Sequence, residues 1–124
     1  MVSVLIVDDE EDISHLLRQY LTQRGFDAVS FTSPLLAFEH FKHNPHTYPI
    51  VITDLRMPGM SGTELANKIR ETNDTAKIFI VTAFDPMDLE SKPGYRQAKI
   101  ERVIQKPINL LQVKNIIKQA LQIQ

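Results

Sequence analysis

The sequence predicts an α/β fold in which five strands alternate with helices. Three observations lead there. Short runs dominated by Val and Ile recur along the chain, as at 2–7, 49–53 and 76–81. Runs that are apolar at nearly every position suit strands covered on both faces. The intervening segments carry apolar residues at helical spacing. Turn and capping residues stand where one pattern gives way to the other. Such alternation builds a parallel sheet flanked by helices on both faces and joined by right-handed crossovers.

Each element has its own justification. Val2-Ser3-Val4-Leu5-Ile6-Val7 is the first expected strand, and the chain then turns acidic at Asp8, Asp9, Glu10, Glu11 and Asp12. Ile13, Leu16, Leu17, Tyr20 and Leu21 predict a helix with that stripe inward, Asp9 a candidate cap at its start and Gly25 at its end. Residues 26–31 are a second strand. Ser33-Pro34 starts a helix with Leu35, Phe38 and Phe41 inward, ending near Asn44-Pro45. Pro49 to Thr53 is the third strand. Asp54 to Gly62 is a loop marked by Pro58, Gly59 and Gly62, and Thr63 to Thr72 is a helix with Leu65, Ala66 and Ile69 inward. Ala76 to Val81 is the fourth strand. A fourth helix over 85–98 is interrupted by Pro93-Gly94, which predicts an irregular or shortened element. Glu101 to Gln105 is the fifth strand. Asn109 caps a last helix with Leu110, Val113, Ile117, Ala120 and Leu121 inward.

Composition bounds the function. A length of 124 residues gives a prior of one domain, 1–124, without linker or repeat beyond the βα period. Hydrophobic residues at 43% rule out a disordered chain. A net charge of -1 argues against direct nucleic-acid binding. No apolar stretch is long enough for a signal peptide or membrane span. The absence of cysteine excludes disulfides, zinc–thiolate sites and thiol catalysis. A cytoplasmic location is the simplest reading.

In open parallel sheets, ligands bind beyond the carboxyl ends of the strands. Asp8 and Asp9 follow the first strand, Asp54 the third, Thr82 the fourth and Lys106 the fifth. Taken singly, each residue reads as a cap, a turn residue or a solvated side chain. Together they bring three carboxylates, a hydroxyl and an ammonium to one edge. Three neighbouring carboxylates repel one another unless some are protonated. A hard cation with oxygen ligands relieves that repulsion, and Mg²⁺ fits best because it keeps several waters. The set suits phosphoryl transfer, where positioning and charge stabilisation dominate. Asp54 stands alone at its strand end and is the best nucleophile.

These residues carry a resemblance. Leu5-Ile6-Val7-Asp8-Asp9-Glu10, Asp54-Leu55-Arg56-Met57-Pro58-Gly59-Met60-Ser61-Gly62, Val81-Thr82-Ala83 and Gln105-Lys106-Pro107, in this order and spacing, resemble the receiver domain of two-component response regulators over nearly the whole chain. The resemblance implies a flavodoxin-like, doubly wound (βα)5 fold with strand order 2-1-3-4-5. It implies that Asp54 accepts phosphate from a sensor histidine kinase or a phosphotransfer protein. Asp9 would ligate Mg²⁺ directly, Asp8 through water, and Asp54 and the backbone carbonyl of Arg56 would complete the protein ligands. Thr82 and Lys106 would contact phosphoryl oxygens, and the Lys106–Pro107 bond would be cis. The face built from the fourth helix, fifth strand and last helix would signal to a protein target or mediate phosphorylation-dependent dimerisation. Arg56 and Phe84, two positions after the acceptor Asp and after the Thr, are modulating positions in that family. The sequence departs from the family at Val103, where most receivers carry the aromatic that swings inward as the threonine moves.

Three other functions compete. A phosphorylation-independent scaffold is favoured by Val103 and the altered fourth helix, and opposed by retention of every acidic-pocket residue. A small Mg²⁺-dependent phosphohydrolase would place a D-x-D pair after the first strand, whereas Asp8 and Asp9 are adjacent. A flavin or nucleotide binder would need a Gly- or Ser/Thr-rich phosphate loop there. His40, His43 and His46 recur every third residue, but Asn44-Pro45 should end their helix before His46, so they read as surface residues.

Overall fold

The computed structural model describes residues 1–122. Its elements are β1 (Ser3–Val7), α1 (Glu11–Gln23), β2 (Asp27–Phe31), α2 (Pro34–His43), β3 (Ile50–Asp54), α3 (Gly62–Arg70), β4 (Lys77–Thr82), α4 (Pro86–Glu90), α5 (Tyr95–Ala98), β5 (Arg102–Gln105) and α6 (Leu110–Leu121). The strands form one parallel sheet in the order β2-β1-β3-β4-β5.

Strand alternation explains why the central strands are apolar along most of their length. Val4 and Ile6 of β1 join Ile50 and Ile52 of β3 on one face, packed against Leu17 and Leu21 of α1 and Val113 and Ile117 of α6. Leu5, Val7 and Val51 point the other way, onto Phe41 of α2 and Leu65 and Ile69 of α3. Successive side chains point to opposite faces, so burial on both sides confines buried polar residues of β3 and β4 to the carboxyl ends, at Thr53, Asp54 and Thr82.

Helix starts follow their capping chemistry. Ser33 Oγ accepts from the Leu36 N–H (3.2 Å), with Pro34 in the first turn. Ser61 and Glu64 form a reciprocal capping box at α3 (3.1 Å each way). Asn109 caps α6 through the Gln112 N–H (3.1 Å). The candidate cap Asp9 is corrected: Glu10 holds the N-cap position of α1, with no side-chain cap bond. Two inward assignments are also corrected. Leu16 and Leu35 are 50% and 54% exposed, while Ser14 and Ala37 take buried places on the same helices. Each helix packs on a single sheet face, so the buried stripe is narrower than the apolar one.

The fourth helix is broken in two. Pro86 and the Asp85 cap, which accepts from the Met87 N–H (2.9 Å), start α4. Gly94 turns the chain with φ +86 before α5, a conformation that disfavours a side chain. Both ends of α5 are tied to α3. Asn67 Nδ2 donates to the Gly94 carbonyl (3.0 Å), and Arg70 donates to the carbonyls of Ala98 (2.8 Å) and Lys99 (2.9 Å).

Candidate functional site

The carboxyl ends of β1, β3, β4 and β5 open on one edge, and ladder bonds continue past them. The Asp8 N–H donates to the Phe31 carbonyl (3.1 Å), Leu55 to Val81 (3.0 Å) and Lys106 to Thr82 (2.8 Å). The side chains that follow the strands are thus set in register with the sheet. The Lys106–Pro107 peptide bond is cis.

Asp54 lies at the centre. Its side chain is 9% exposed, and its Oδ1 accepts from the Leu55 N–H (3.0 Å) and stands 3.3 Å from Lys106 Nζ. The same ammonium donates to Glu10 Oε1 (3.3 Å). Asp8 is buried and accepts from the Glu10 N–H (2.9 Å). Gly62 lets α3 close under the site: an added Cβ would lie 2.3 Å from the Asp54 carbonyl oxygen, and the Gly62 N–H donates to the Leu55 carbonyl (2.8 Å).

The electrostatics are those of crowded acids. Burial, reinforced by the charge of Asp54, pushes the Asp8 carboxyl up to about 6. Burial also raises Asp54, outweighing the opposing pull of Lys106. For Lys106, burial works downward, but Asp54, Asp8 and Glu10 together hold its ammonium above the ordinary lysine range. Oxygens of Asp8, Glu10 and Asp54 lie within 4.8 Å of one another. An all-oxygen set, two buried carboxylates and the exposed Glu10, short of positive charge, is the donor chemistry of Mg²⁺, so the residues present fit that ion.

The structure brings Asp8, Asp54, Thr82 and Lys106 to one place, with Asp9 exposed at the rim and Glu10, Arg56, Ala83 and Phe84 lining the same depression. Thr82 is 2% exposed, and its Oγ1 accepts from the Phe84 N–H (3.0 Å). The Arg56 guanidinium stacks 4.3 Å over the Phe84 ring. Val103 sits away from this depression, half-buried and opposite Ile80. Glu10 was missed as a site residue: sequence order made it the third of an acidic run, and its reach to Lys106 depends on the fold. His40 is tied to the Tyr48 hydroxyl (2.7 Å) and His43 to the Glu39 carbonyl (2.9 Å), and no histidine belongs to a metal-ligand cluster among the described residues.

Comparison with known proteins agrees with this geometry. The family model described as the response regulator receiver domain matches residues 4–118. A cyclic di-GMP phosphodiesterase of Thermotoga maritima is 32% identical over 109 residues, covering 88% of this chain but 28% of that protein. The response regulator receiver protein CpdR of Brucella abortus is 28% identical, with 98% of each chain covered. This chain therefore spans well under half of the first relative and almost all of the second. The response regulator TrrA of Thermotoga maritima, solved in complex with Mg²⁺ and BeF, superposes with a TM-score of 0.83 at 30% identity, covering 97% of this chain and 99% of that one. A chain of the complex between TrrA and the histidine kinase ThkA matches with a TM-score of 0.82, at 30% identity over 98% of this chain and all of the other. No helix among the described residues is long and apolar enough to cross a membrane.

Proposed function

This chain belongs to the response-regulator receiver family, and on that premise we propose that it accepts a phosphoryl group on Asp54 from a histidine kinase or phosphotransfer protein. The observation that carries the reading is the convergence of Asp54 and Lys106 at 3.3 Å with Asp8 and Glu10 beside them, at the carboxyl edge of a parallel sheet. An Asp54 carboxylate oxygen attacks phosphorus as the P–N bond of a phosphohistidine breaks. Lys106 then balances charge on a phosphoryl oxygen, and the Thr82 hydroxyl donates to another. Asp8, Asp9, Asp54 and the Arg56 carbonyl would hold Mg²⁺, with Glu10 near enough to hydrogen-bond its waters. When bound, the ion neutralises the carboxylates and the phosphoryl charge.

The chain is read as a phosphoacceptor and not as an enzyme that turns over a substrate, acting in the cytoplasm by docking a protein partner through α4, β5 and α6. Neither nucleic acid nor membrane is a proposed partner. Intact mass after incubation with Mg²⁺ and acetyl phosphate tests the reading. One phosphoryl adduct is expected on the wild type and none on Asp54→Asn; no adduct on either, together with no binding of beryllofluoride, would leave the scaffold reading, which Val103 and the divided fourth helix favour.

A further inference from the structure

We propose that Phe84 is the moving aromatic of this protein: on modification of Asp54 its ring leaves Arg56 and enters the cavity beside α4, carrying the state of Thr82 outward through the β4–α4 loop. The inference rests on the phosphoacceptor reading above, and it concerns a residue outside the strand that holds Val103.

Four observations support it. Val103 offers no ring to move and lies opposite Ile80, away from the acidic depression. Phe84 contributes the aromatic ring that lines that depression, and the residue is 42% exposed, its ring stacked under the Arg56 guanidinium at 4.3 Å. Its amide N–H is bonded to Thr82 Oγ1 at 3.0 Å, so a hydroxyl that turns toward Asp54 draws on the amide that bears the ring. The other side of Phe84 borders a cavity of about 470 Å³ that Arg56 also lines, with Leu55, Leu89 and Pro93 as its apolar wall and Asp88 and Lys92 among its polar residues, spacious enough for a phenyl group. Leaving water for that apolar wall is favourable, whereas stacking on Arg56 favours the outward position. Two opposed terms of similar kind make an equilibrium that a small bias can shift.

The neighbouring structure confines the motion. Because Asn67 and Arg70 fasten both ends of α5 to α3, displacement of the ring and of α4 is taken up between Ala83 and Pro93, with Gly94 as the pivot.

The full chain, labelled with 4-fluorophenylalanine, tests this by fluorine NMR, the Phe84 signal being assigned as the one lost in Phe84→Leu. Solvent exposure of that fluorine is read from its shift between H₂O and D₂O, before and after addition of Mg²⁺ and beryllofluoride. The expected result is loss of the solvent isotope shift at Phe84 when the adduct forms. Adduct formation, verified by intact mass with acetyl phosphate, with Phe84 still exposed would overturn the inference and leave the phosphoacceptor reading standing. No adduct would remove both.

Discussion

Lys106 Nζ stands 3.3 Å from Asp54 Oδ1, although Asp54 ends β3 and Lys106 follows β5, strands separated in the sheet by β4. The ammonium also reaches Glu10, so one cation holds together an acid at a strand end and one from the β1–α1 loop. Lys106→Met should therefore lower stability by about 1–3 kcal/mol, the cost of leaving partly buried charged acceptors without their donor. Mg²⁺ should recover more melting temperature in the variant than in the wild type. Thermal unfolding with and without the ion checks both statements.

Metal affinity should depend steeply on pH. The Asp8 carboxyl lies at about 6, above its ordinary 3.8, because burial and Asp54 disfavour its charge. In the metal-free protein the protonated form favours the fold, so this contribution to stability is fully present below 3.8 and is lost as pH rises through about 6. A cation requires the opposite form. Apparent Mg²⁺ affinity should thus rise between pH ~5 and ~7 and level off above, with proton release on binding below that plateau. Calorimetric titrations in buffers of different ionisation enthalpy measure both, and a flat profile would contradict the placement of Asp8.

Gly62→Ala should damage the site from beneath. The new Cβ would collide with the Asp54 carbonyl oxygen, and the other atoms nearest to it are also backbone, of Asp54 and Leu55, which cannot swing aside as a side chain can. Destabilisation by about 1–3 kcal/mol is expected from overpacking, with weaker Mg²⁺ binding because the β3–α3 loop must shift. Urea unfolding and a metal titration on the same sample separate the two effects.

Arg56→Ala should shorten the life of the phosphorylated protein. The Arg56 side chain lines the mouth of the depression that holds Asp54, where its bulk hinders the approach of water. A barrier lowered by about 0.5–1 kcal/mol corresponds to a roughly two- to five-fold faster loss of phosphate. Decay of the phosphoryl adduct followed by intact mass gives the rate, and Arg56→Lys should fall between the two.

Much of this architecture is legible in the sequence because strands covered on both faces leave an unambiguous record. Ile50-Val51-Ile52 has no polar interruption, and Asp54 ends the run where the sheet ends. The capping residues Ser33 and Asn109 mark their helices by chemistry that needs no tertiary context, whereas Ser61, inside the expected loop, shows itself as a cap only in the structure. Leu16 and Leu35 misled because an apolar residue at helical spacing reveals a stripe but not its width. The link between Arg56 and Phe84, and that between Glu10 and Lys106, join residues from different loops. Such contacts leave no local pattern, and the sheet register alone creates them.

The division of the fourth helix at Gly94 has a consequence for recognition. If α4 follows Phe84 as proposed while α5 stays fastened to α3, a partner spanning both pieces would meet a constant surface beside a variable one. The constant piece would then serve as an address, by which the partner knows this receiver from others, and the variable piece as the message. Here the wording of the message can change through Pro86–Glu90 while the address stays the same.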